Sequence, residues 1–155
     1  MIGALKILYR DVLKCPRKLN GIRYPKKRHS IPNVVSREVI SRLLKASRSN
    51  LKHHVMIRIL YESGLRISEL LNLKPSDIDS DRMQILVRSG KGNKDRRTIL
   101  GEDTLILLRS YYKEDRPEVY LFEGPKGQYS ASSVRSFLKK YSRLAKTLPI
   151  KHKKR

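Results

Sequence analysis

The chain has 155 residues, enough for one ordinary domain with its own hydrophobic core. It carries 36 Lys and Arg residues against 14 Asp and Glu residues, which gives a formal net charge of +22 at pH 7. This excess favours a polyanionic partner, and nucleic acid first, because neutralising its phosphates releases counterions. A single cysteine excludes an intramolecular disulfide, and no stretch approaches the roughly 20 apolar residues of a membrane span. We therefore expect a nucleic-acid-binding protein of the cytoplasm.

The N-terminal part of the sequence predicts a short helix followed by a linker. Apolar residues recur at helical spacing in residues 2–14, and Pro16 ends this pattern. Residues 16–33 contain three prolines and a glycine, which predicts an extended segment. A basic cluster, Lys26, Lys27 and Arg28, lies within it. These residues alone fit either a solvated loop or a segment that contacts DNA.

Two helices are predicted at the start of the main domain. Ser36 is a suitable N-cap for the first, and the second runs from Asn50 to a break at Gly64. His53 and His54 are adjacent on the second helix. Because adjacent residues do not share a helix face, they form a poor metal pair, and we predict that they lie at the surface or face DNA. The sequence contains no other His, Cys and carboxylate cluster, so we expect no metal site.

Arg66 follows the glycine break and occupies an unusual position. It is predicted in the first turn of a new short helix, where the helix dipole disfavours a cation. Free backbone amides at a helix start, together with a guanidinium group, suit an anion such as phosphate. The alternative is an ion pair on the helix surface with Glu69, three residues further on. Both interpretations remain open on these residues alone.

A β-hairpin is predicted after this helix. Apolar and polar residues alternate over residues 83–87, and residues 96–100 form a second strand-like run. Residues 90–94, Gly-Lys-Gly-Asn-Lys, predict the turn between them. This turn is not a P-loop, because no Ser or Thr follows Lys91. A lysine at an exposed tip serves solubility or reaches into a DNA groove, and the turn alone does not decide between these roles.

The C-terminal part predicts a helix from Glu102 and a strongly amphipathic last helix. Apolar residues of the last helix recur between Val134 and Leu148 at the spacing of one helical face. Lys139 and Lys140 lie on its other faces and fit either DNA backbone contact or a solvated surface. The predicted fold class is therefore mainly α, with a small antiparallel β-hairpin or three-stranded sheet.

Residues 64–73, Gly-Leu-Arg-Ile-Ser-Glu-Leu-Leu-Asn-Leu, followed by Asp-Ile-Asp at 77–79, closely resemble the first catalytic box of tyrosine recombinases. This class contains the phage integrases and Xer-like enzymes. The resemblance continues at residues 89–96, which are similar to the lysine-bearing hairpin turn of the family. It continues again at residues 117–123 and in the helix from Ser132. The resemblance implies the α + β fold of the recombinase catalytic domain.

The resemblance also implies a division of the chain. Residues 1–15 resemble the end of a core-binding-domain helix, residues 16–33 a basic linker, and residues 34–155 the N-terminal part of the catalytic domain. In the family, such a linker joins two domains that clamp double-stranded DNA, and full-length members work as homo-oligomers in a tetrameric synapse. We assign DNA contacts on this basis to Lys26, Lys27, Arg28, Lys94, Arg96, Lys139 and Lys140.

The chemistry implied by the resemblance uses no metal ion or cofactor. A tyrosine hydroxyl attacks a DNA phosphodiester, a 3′-phosphotyrosine forms, and a 5′-hydroxyl leaves. Arg66 matches the first of two family arginines that stabilise charge on the phosphate oxygens. Lys91 matches the lysine that protonates the leaving oxygen.

The sequence also departs from the family pattern. The box with His, a second Arg and another His or Trp, and the nucleophilic Tyr after it, do not occur before Arg155. None of the eight tyrosines has the context of the nucleophile, and we predict that Tyr61, Tyr112 and Tyr141 belong to the core. We therefore expect that these 155 residues alone cleave no DNA. Two functions remain open: a recombinase represented by part of its catalytic domain, or a non-catalytic DNA-binding remnant or competitor at recombination sites.

Overall fold

The computed structural model describes residues 2–15, 35–88, 95–125 and 127–145. The chain divides into two units, Met1–Val34 and Val35–Arg155. In the first unit, helix α1 (Ile2–Ile7) continues as a π-helical segment, Leu8–Val12. The predicted N-terminal helix is therefore present. The predicted linker residues 16–33 lie outside the described residues.

The second unit is built mainly from helices. Its helices are α2 (Arg37–Ser47), α3 (Leu51–Glu62), α4 (Ile67–Asn72), α5 (Glu102–Asp115) and α6 (Ala131–Leu144). The side chain of Ser36 accepts a hydrogen bond from the backbone nitrogen of Val39, which confirms the predicted N-cap of α2. Asn50 and Ser130 cap α3 and α6 in the same way. None of the described helices is long and apolar enough to cross a membrane.

A small antiparallel sheet completes the second unit. Its strands β1 (Ile78–Asp79), β2 (Gln84–Val87) and β3 (Arg96–Ile99) pair in that order. Val87 is paired with Arg96 at the end of the β2–β3 ladder. A second, two-stranded sheet joins β4 (Glu123–Gly124) and β5 (Gly127–Gln128). These elements confirm the predicted mainly α fold class with a three-stranded antiparallel sheet.

The hydrophobic core lies around α3. Val55, Met56 and Ile59 of this helix are fully buried, because α2 and α5 pack against it. Leu108 on α5 and Ile85 on β2 belong to the same buried cluster. Burying a side chain of this size stabilises the fold by roughly 1.5–3 kcal/mol relative to leaving it exposed. The core therefore fixes the C-terminal end of α3, where the candidate site begins.

The structure corrects the prediction that the two adjacent histidines of α3 lie at the surface, because one is buried and the other, His53, is half-buried. His54 is buried and its Nδ1 lies 2.9 Å from the hydroxyl of Ser47. His53 lies between two tyrosines, with Nδ1 3.1 Å from the hydroxyl of Tyr141 and Nε2 2.9 Å from that of Tyr129. Its ring also stacks on Phe137 at 4.2 Å. Side chains of α2 and α6 cover the two histidines to these different degrees, which the sequence of α3 alone does not reveal.

The prediction for the tyrosines is correct for Tyr141 and wrong for Tyr61 and Tyr112. Tyr141 is buried, whereas Tyr61 and Tyr112 are about half exposed. On α5 the buried tyrosine is Tyr111, which continues the inward stripe through Leu108. Successive residues of an α-helix point about 100° apart, so Tyr112 turns away from the core.

Candidate functional site

Two hydrogen bonds join the turn between α3 and α4 to strand β3. Gly64 has a φ of +60°, a conformation that glycine adopts without the Cβ penalty, and the chain reverses there. The hydroxyl of Ser63 donates to the carbonyl oxygen of Ile99 at 2.8 Å, and the hydroxyl of Thr98 donates to the carbonyl oxygen of Ser63 at 2.8 Å. These reciprocal bonds hold the start of α4 beside β3. Arg66 is the N-cap residue of α4.

Glu69 joins Arg66 to Arg96. Its Oε1 accepts from Nη1 of Arg66 at 2.6 Å, and its Oε2 accepts from Nη2 of Arg96 at 2.8 Å. Oε2 also accepts from the backbone nitrogen of Arg66 at 2.8 Å, which caps the helix. The Glu69 side chain is only 5% exposed, whereas those of Arg66 and Arg96 are 56% and 37% exposed. The ion pair expected as the alternative role of Arg66 is thus present, and the guanidinium still reaches the surface.

Glu69 is ionised in this arrangement. Burial raises the pKa of Glu69, but hydrogen bonds from the backbone and side chain of Arg66 and the charges of Arg96 and Arg66 outweigh it. The resulting pKa lies below the ordinary value for a glutamate. Two guanidinium groups against one carboxylate leave this cluster with one net positive charge. We call Arg66, Glu69 and Arg96 the arginine cluster.

A second buried carboxylate holds a third arginine. Asp77 is part of a 3₁₀ turn, Pro75–Asp77, that follows α4. Its Oδ1 accepts from Nε of Arg88 at 2.7 Å, and its Oδ2 accepts from the backbone nitrogen of Lys74 at 3.0 Å. Sequence reasoning did not single out Arg88. The sequence signal for this contact is Asp77, an acidic residue of the Asp-Ile-Asp segment that can cap the turn after Pro75.

Among the residues that the structure describes, the other predicted site residues do not join this cluster. Lys91 and Lys94 lie between β2 and β3, outside the described residues, as does the basic cluster at Lys26, Lys27 and Arg28. Lys139 and Lys140 lie on the exposed side of α6. There they line a shallow depression of about 500 Å³ with Ser136, Arg143 and Leu144. Within residues 35–88 and 95–145, excluding 126, no described hydrogen bond or ion pair links them to Arg66 or Arg96.

Among the described residues, potential metal ligands do not converge near the arginine cluster. In the part of the chain that the structure describes, no three or more His, Cys, Asp and Glu residues are grouped so as to hold a metal ion. The cluster is suited to an anion instead. Guanidinium groups present planar forks of N–H donors that match phosphate and carboxylate oxygens.

Several known proteins are similar to this chain in sequence and in fold. A family model, the phage integrase family, matches residues 33–155. The chain therefore belongs to the phage integrase family. Protein y4eF of Sinorhizobium fredii, classed by its name with integrases and recombinases, is 43% identical over 100 residues, covering 64% of this chain and 39% of that protein. Tyrosine recombinase XerA of Thermococcus kodakarensis is 36% identical over 137 residues, covering 84% and 49%.

Solved structures give the same result for the fold. The crystal structure of XerA recombinase superposes with a TM-score of 0.68 at 30% identity, covering 94% of this chain and 53% of that one. An integrase from mycobacterium phage Brujita has a TM-score of 0.64 at 27% identity, covering 95% and 51%. The chain spans about half the length, or less, of the curated relatives that it matches.

Proposed function

We propose that this chain is part of a site-specific DNA recombinase of the tyrosine class, and that Arg66 and Arg96 bind a phosphate of double-stranded DNA. The observation that carries this proposal is the buried carboxylate of Glu69, which bonds both guanidinium groups and leaves them partly exposed. Membership of the phage integrase family supports the reaction class. The net charge of +22 supports a polyanionic partner.

The arginine cluster suits phosphate because its donors are fixed before the ligand arrives. The bonds to Glu69 remove rotamer freedom from two long side chains, so less entropy is lost when phosphate binds. Charge-assisted hydrogen bonds to phosphate oxygens are roughly twice as strong as neutral ones. In the reaction, charge gathers on the non-bridging oxygens, and losing one such donor costs about 3–4 kcal/mol of transition-state stabilisation.

The remaining parts of the proposed mechanism follow the family resemblance. A tyrosine hydroxyl attacks the phosphodiester and forms the 3′-phosphotyrosine, and Lys91 donates a proton to the leaving 5′-oxygen. The phosphate energy is retained in the covalent link and returned on rejoining. The nucleophile is assigned to none of the eight tyrosines. DNA backbone contacts outside the arginine cluster are proposed for Lys26, Lys27, Arg28, Lys94, Lys139 and Lys140.

The proposal extends to organisation and location. We assign residues 1–15 to the end of a core-binding-domain helix, residues 16–33 to a basic linker and residues 34–155 to the N-terminal part of the catalytic domain. We expect the protein to act in the cytoplasm, where its DNA substrate is reached, and to assemble as a homo-oligomer on two DNA sites. The family match over residues 33–155 supports the catalytic-domain assignment. The other assignments follow the family resemblance of the sequence.

A suicide-substrate assay tests the reaction class. A nicked duplex that carries the cognate site traps the covalent protein–DNA adduct after strand cleavage. We expect no adduct from the 155-residue chain alone and an adduct from a longer product of the same gene. An adduct from the chain alone would assign the nucleophile to one of its own tyrosines and contradict our expectation of inactivity.

The second candidate function is DNA binding without catalysis, as a remnant or competitor at recombination sites. It shares the arginine cluster and the basic surface with the first candidate. What favours it is that duplex binding needs only exposed cations and a net charge of +22, and neither requires a nucleophile. Tight, salt-sensitive binding with no adduct from any product of the gene would support it and exclude the recombinase.

A further inference from the structure

Arg88 is fixed at the surface in the same manner as the arginine cluster. Its side chain is 55% exposed, although the Asp77 carboxylate that holds it is 2% exposed. The hydrogen bond and charge of Asp77, together with the charge of Asp95, raise the pKa of Arg88 above its ordinary value. The bond to Asp77 is made by Nε, the inner nitrogen of the guanidinium group. The guanidinium group is therefore fixed through Nε, and this bond does not use its two terminal nitrogens.

Neutralising a surface arginine with a buried aspartate requires the carboxylate to be desolvated. Taking a carboxylate out of water costs several kcal/mol unless partners replace the lost hydration. Asp77 recovers this cost through Arg88 and the backbone nitrogen of Lys74. An exposed acid would neutralise Arg88 without any burial. The arrangement instead sets the direction of the guanidinium group, as Glu69 does for Arg66 and Arg96.

Arg88 and Arg96 lie at the same end of the β2–β3 ladder. Arg96 is paired with Val87, and Arg88 is the next residue after Val87. Their Cα atoms are therefore within about 10 Å of each other. Val87 is buried, and continuing the alternation of β2 by one residue directs Arg88 to the opposite face from Val87 and Arg96. The two arginines thus leave the hairpin on opposite sides and do not converge on one small anion.

We propose that Arg88 binds a second phosphate of double-stranded DNA, distinct from the one held by Arg66 and Arg96, and that Asp77 positions it. This inference rests on the proposed function, because it takes the same DNA as the ligand. It adds a residue that the family resemblance did not assign. The ligand class follows from the fixed guanidinium fork, the neighbouring arginine cluster and the strongly basic chain.

The test measures the salt dependence of duplex binding by fluorescence anisotropy with the full 155-residue chain. Each phosphate contact contributes about 0.9 to the slope of log K against log salt concentration. We expect Arg88→Gln to reduce the magnitude of this slope by about 0.9. When the salt concentration rises from about 50 to about 200 mM, the fall in affinity should then be roughly threefold smaller for the variant than for the unchanged chain. Arg88→Lys keeps the charge and should restore most of the slope.

Arg82→Gln is the matched control. Arg82 lies in the turn before β2, at the other end of the sheet, with a side chain 68% exposed and 4.0 Å from Asp79. The substitution removes the same charge and should leave the slope unchanged. An equal decrease in both variants would show that only net charge matters and would overturn the inference.

A double-substitution cycle tests the positioning role of Asp77. Asp77→Asn should weaken duplex binding in the unchanged chain and have no further effect on affinity when Arg88 is already Gln. A merely structural Asp77 would weaken binding equally in both backgrounds. An unchanged slope in Arg88→Gln, while Arg66→Ala still lowers affinity, overturns this inference alone. Absence of salt-dependent duplex binding by the unchanged chain overturns the proposed function as well.

Discussion

At the scale of single residues, Glu69 determines the geometry of the candidate site. Arg66 and Glu69 are three residues apart, so their pairing follows from local helix geometry. Arg96 lies on strand β3, 27 residues after Glu69 in the sequence. A carboxylate has two oxygens, and Glu69 uses one for each guanidinium group. This sharing makes one buried acid sufficient to fix two surface cations.

Glu69→Gln should destabilise the protein. The amide keeps the shape of the side chain but loses the charge-assisted bonds to Arg66 and Arg96. Hydrogen bonds to charged groups contribute about 1.5–3 kcal/mol, and we expect the free energy of unfolding in urea to fall by this amount. Glu118→Gln removes the same charge at an exposed position and is the control, with a change within about 0.5 kcal/mol. Equal effects would contradict the role assigned to Glu69.

The effect of Glu69→Gln should depend on pH in a defined direction. Because the folded pKa of Glu69 lies below its ordinary value of 4.5, its ionisation stabilises the folded state fully above pH 4.5. This contribution is lost as the pH falls through the folded pKa. Urea titrations of both proteins should therefore converge below pH 4.5. A difference in the free energy of unfolding between the two proteins that stays constant into strong acid would show that the substitution removes packing contacts rather than charge.

At the scale of elements, His53 connects three parts of the second unit. It lies on α3, bonds Tyr141 of α6 and Tyr129 beside β5, and stacks on Phe137. Burial lowers the pKa of His53, and the charges of Lys140 and Lys52 lower it further. Burial also lowers the pKa of His54, with smaller effects from its neighbours. The packing of α6 therefore depends on a neutral imidazole.

Acidification should weaken this packing. In the unfolded chain each histidine takes up a proton near pH 6.5, whereas in the folded chain the lowered pKa values delay protonation of His53 and His54 to a lower pH. The contribution of the neutral histidines to the free energy of unfolding is therefore fully present above pH 6.5 and is lost as the pH falls below it. We expect the Tm to fall from about pH 7.5 to about pH 5.5 and His53→Gln to make this fall shallower. Thermal melts followed by circular dichroism measure both. A Tm of the unchanged chain that stays level over this range would contradict the role of the histidines.

Element positions could be predicted where the signal is local. Ser36 and Gly64 mark helix ends by their own backbone preferences, and the last helix shows its apolar face in sequence. The buried face of α5 was misjudged because Tyr111 and Tyr112 are adjacent, and both are large and amphipathic. Only the neighbouring elements decide which of them turns inward.

At the scale of the whole molecule, we expect the net charge to contribute more to the proposed affinity for DNA than any single residue does. Arginines at three positions are held by buried carboxylates, and α6 contains no acidic residue at all. In the proposed complex with DNA, we expect a chain with +22 net charge to neutralise many phosphates at once. The loss of one contact is therefore a small part of the total binding free energy.

Arg66→Ala and Lys91→Ala should weaken duplex binding only modestly. Each change removes about one phosphate contact among many, so the dissociation constant should rise by roughly tenfold or less at moderate salt. Anisotropy titrations with a labelled duplex give the dissociation constants. A complete loss of binding from either substitution, in a variant that still melts cooperatively, would contradict the distributed-contact picture.

The sequence by itself determined the family, the mainly α fold class, the helix ends at Ser36 and Gly64 and the two candidate roles of Arg66, because local preferences and motif spacing carry these features. Only the tertiary structure decided that Glu69 bonds both Arg66 and Arg96, that Asp77 bonds Arg88, and that His53 bonds two tyrosines. The first and last of these involve partners 27 and 88 residues apart in sequence. Such contacts exist only after packing brings separate elements together, so no local pattern specifies them.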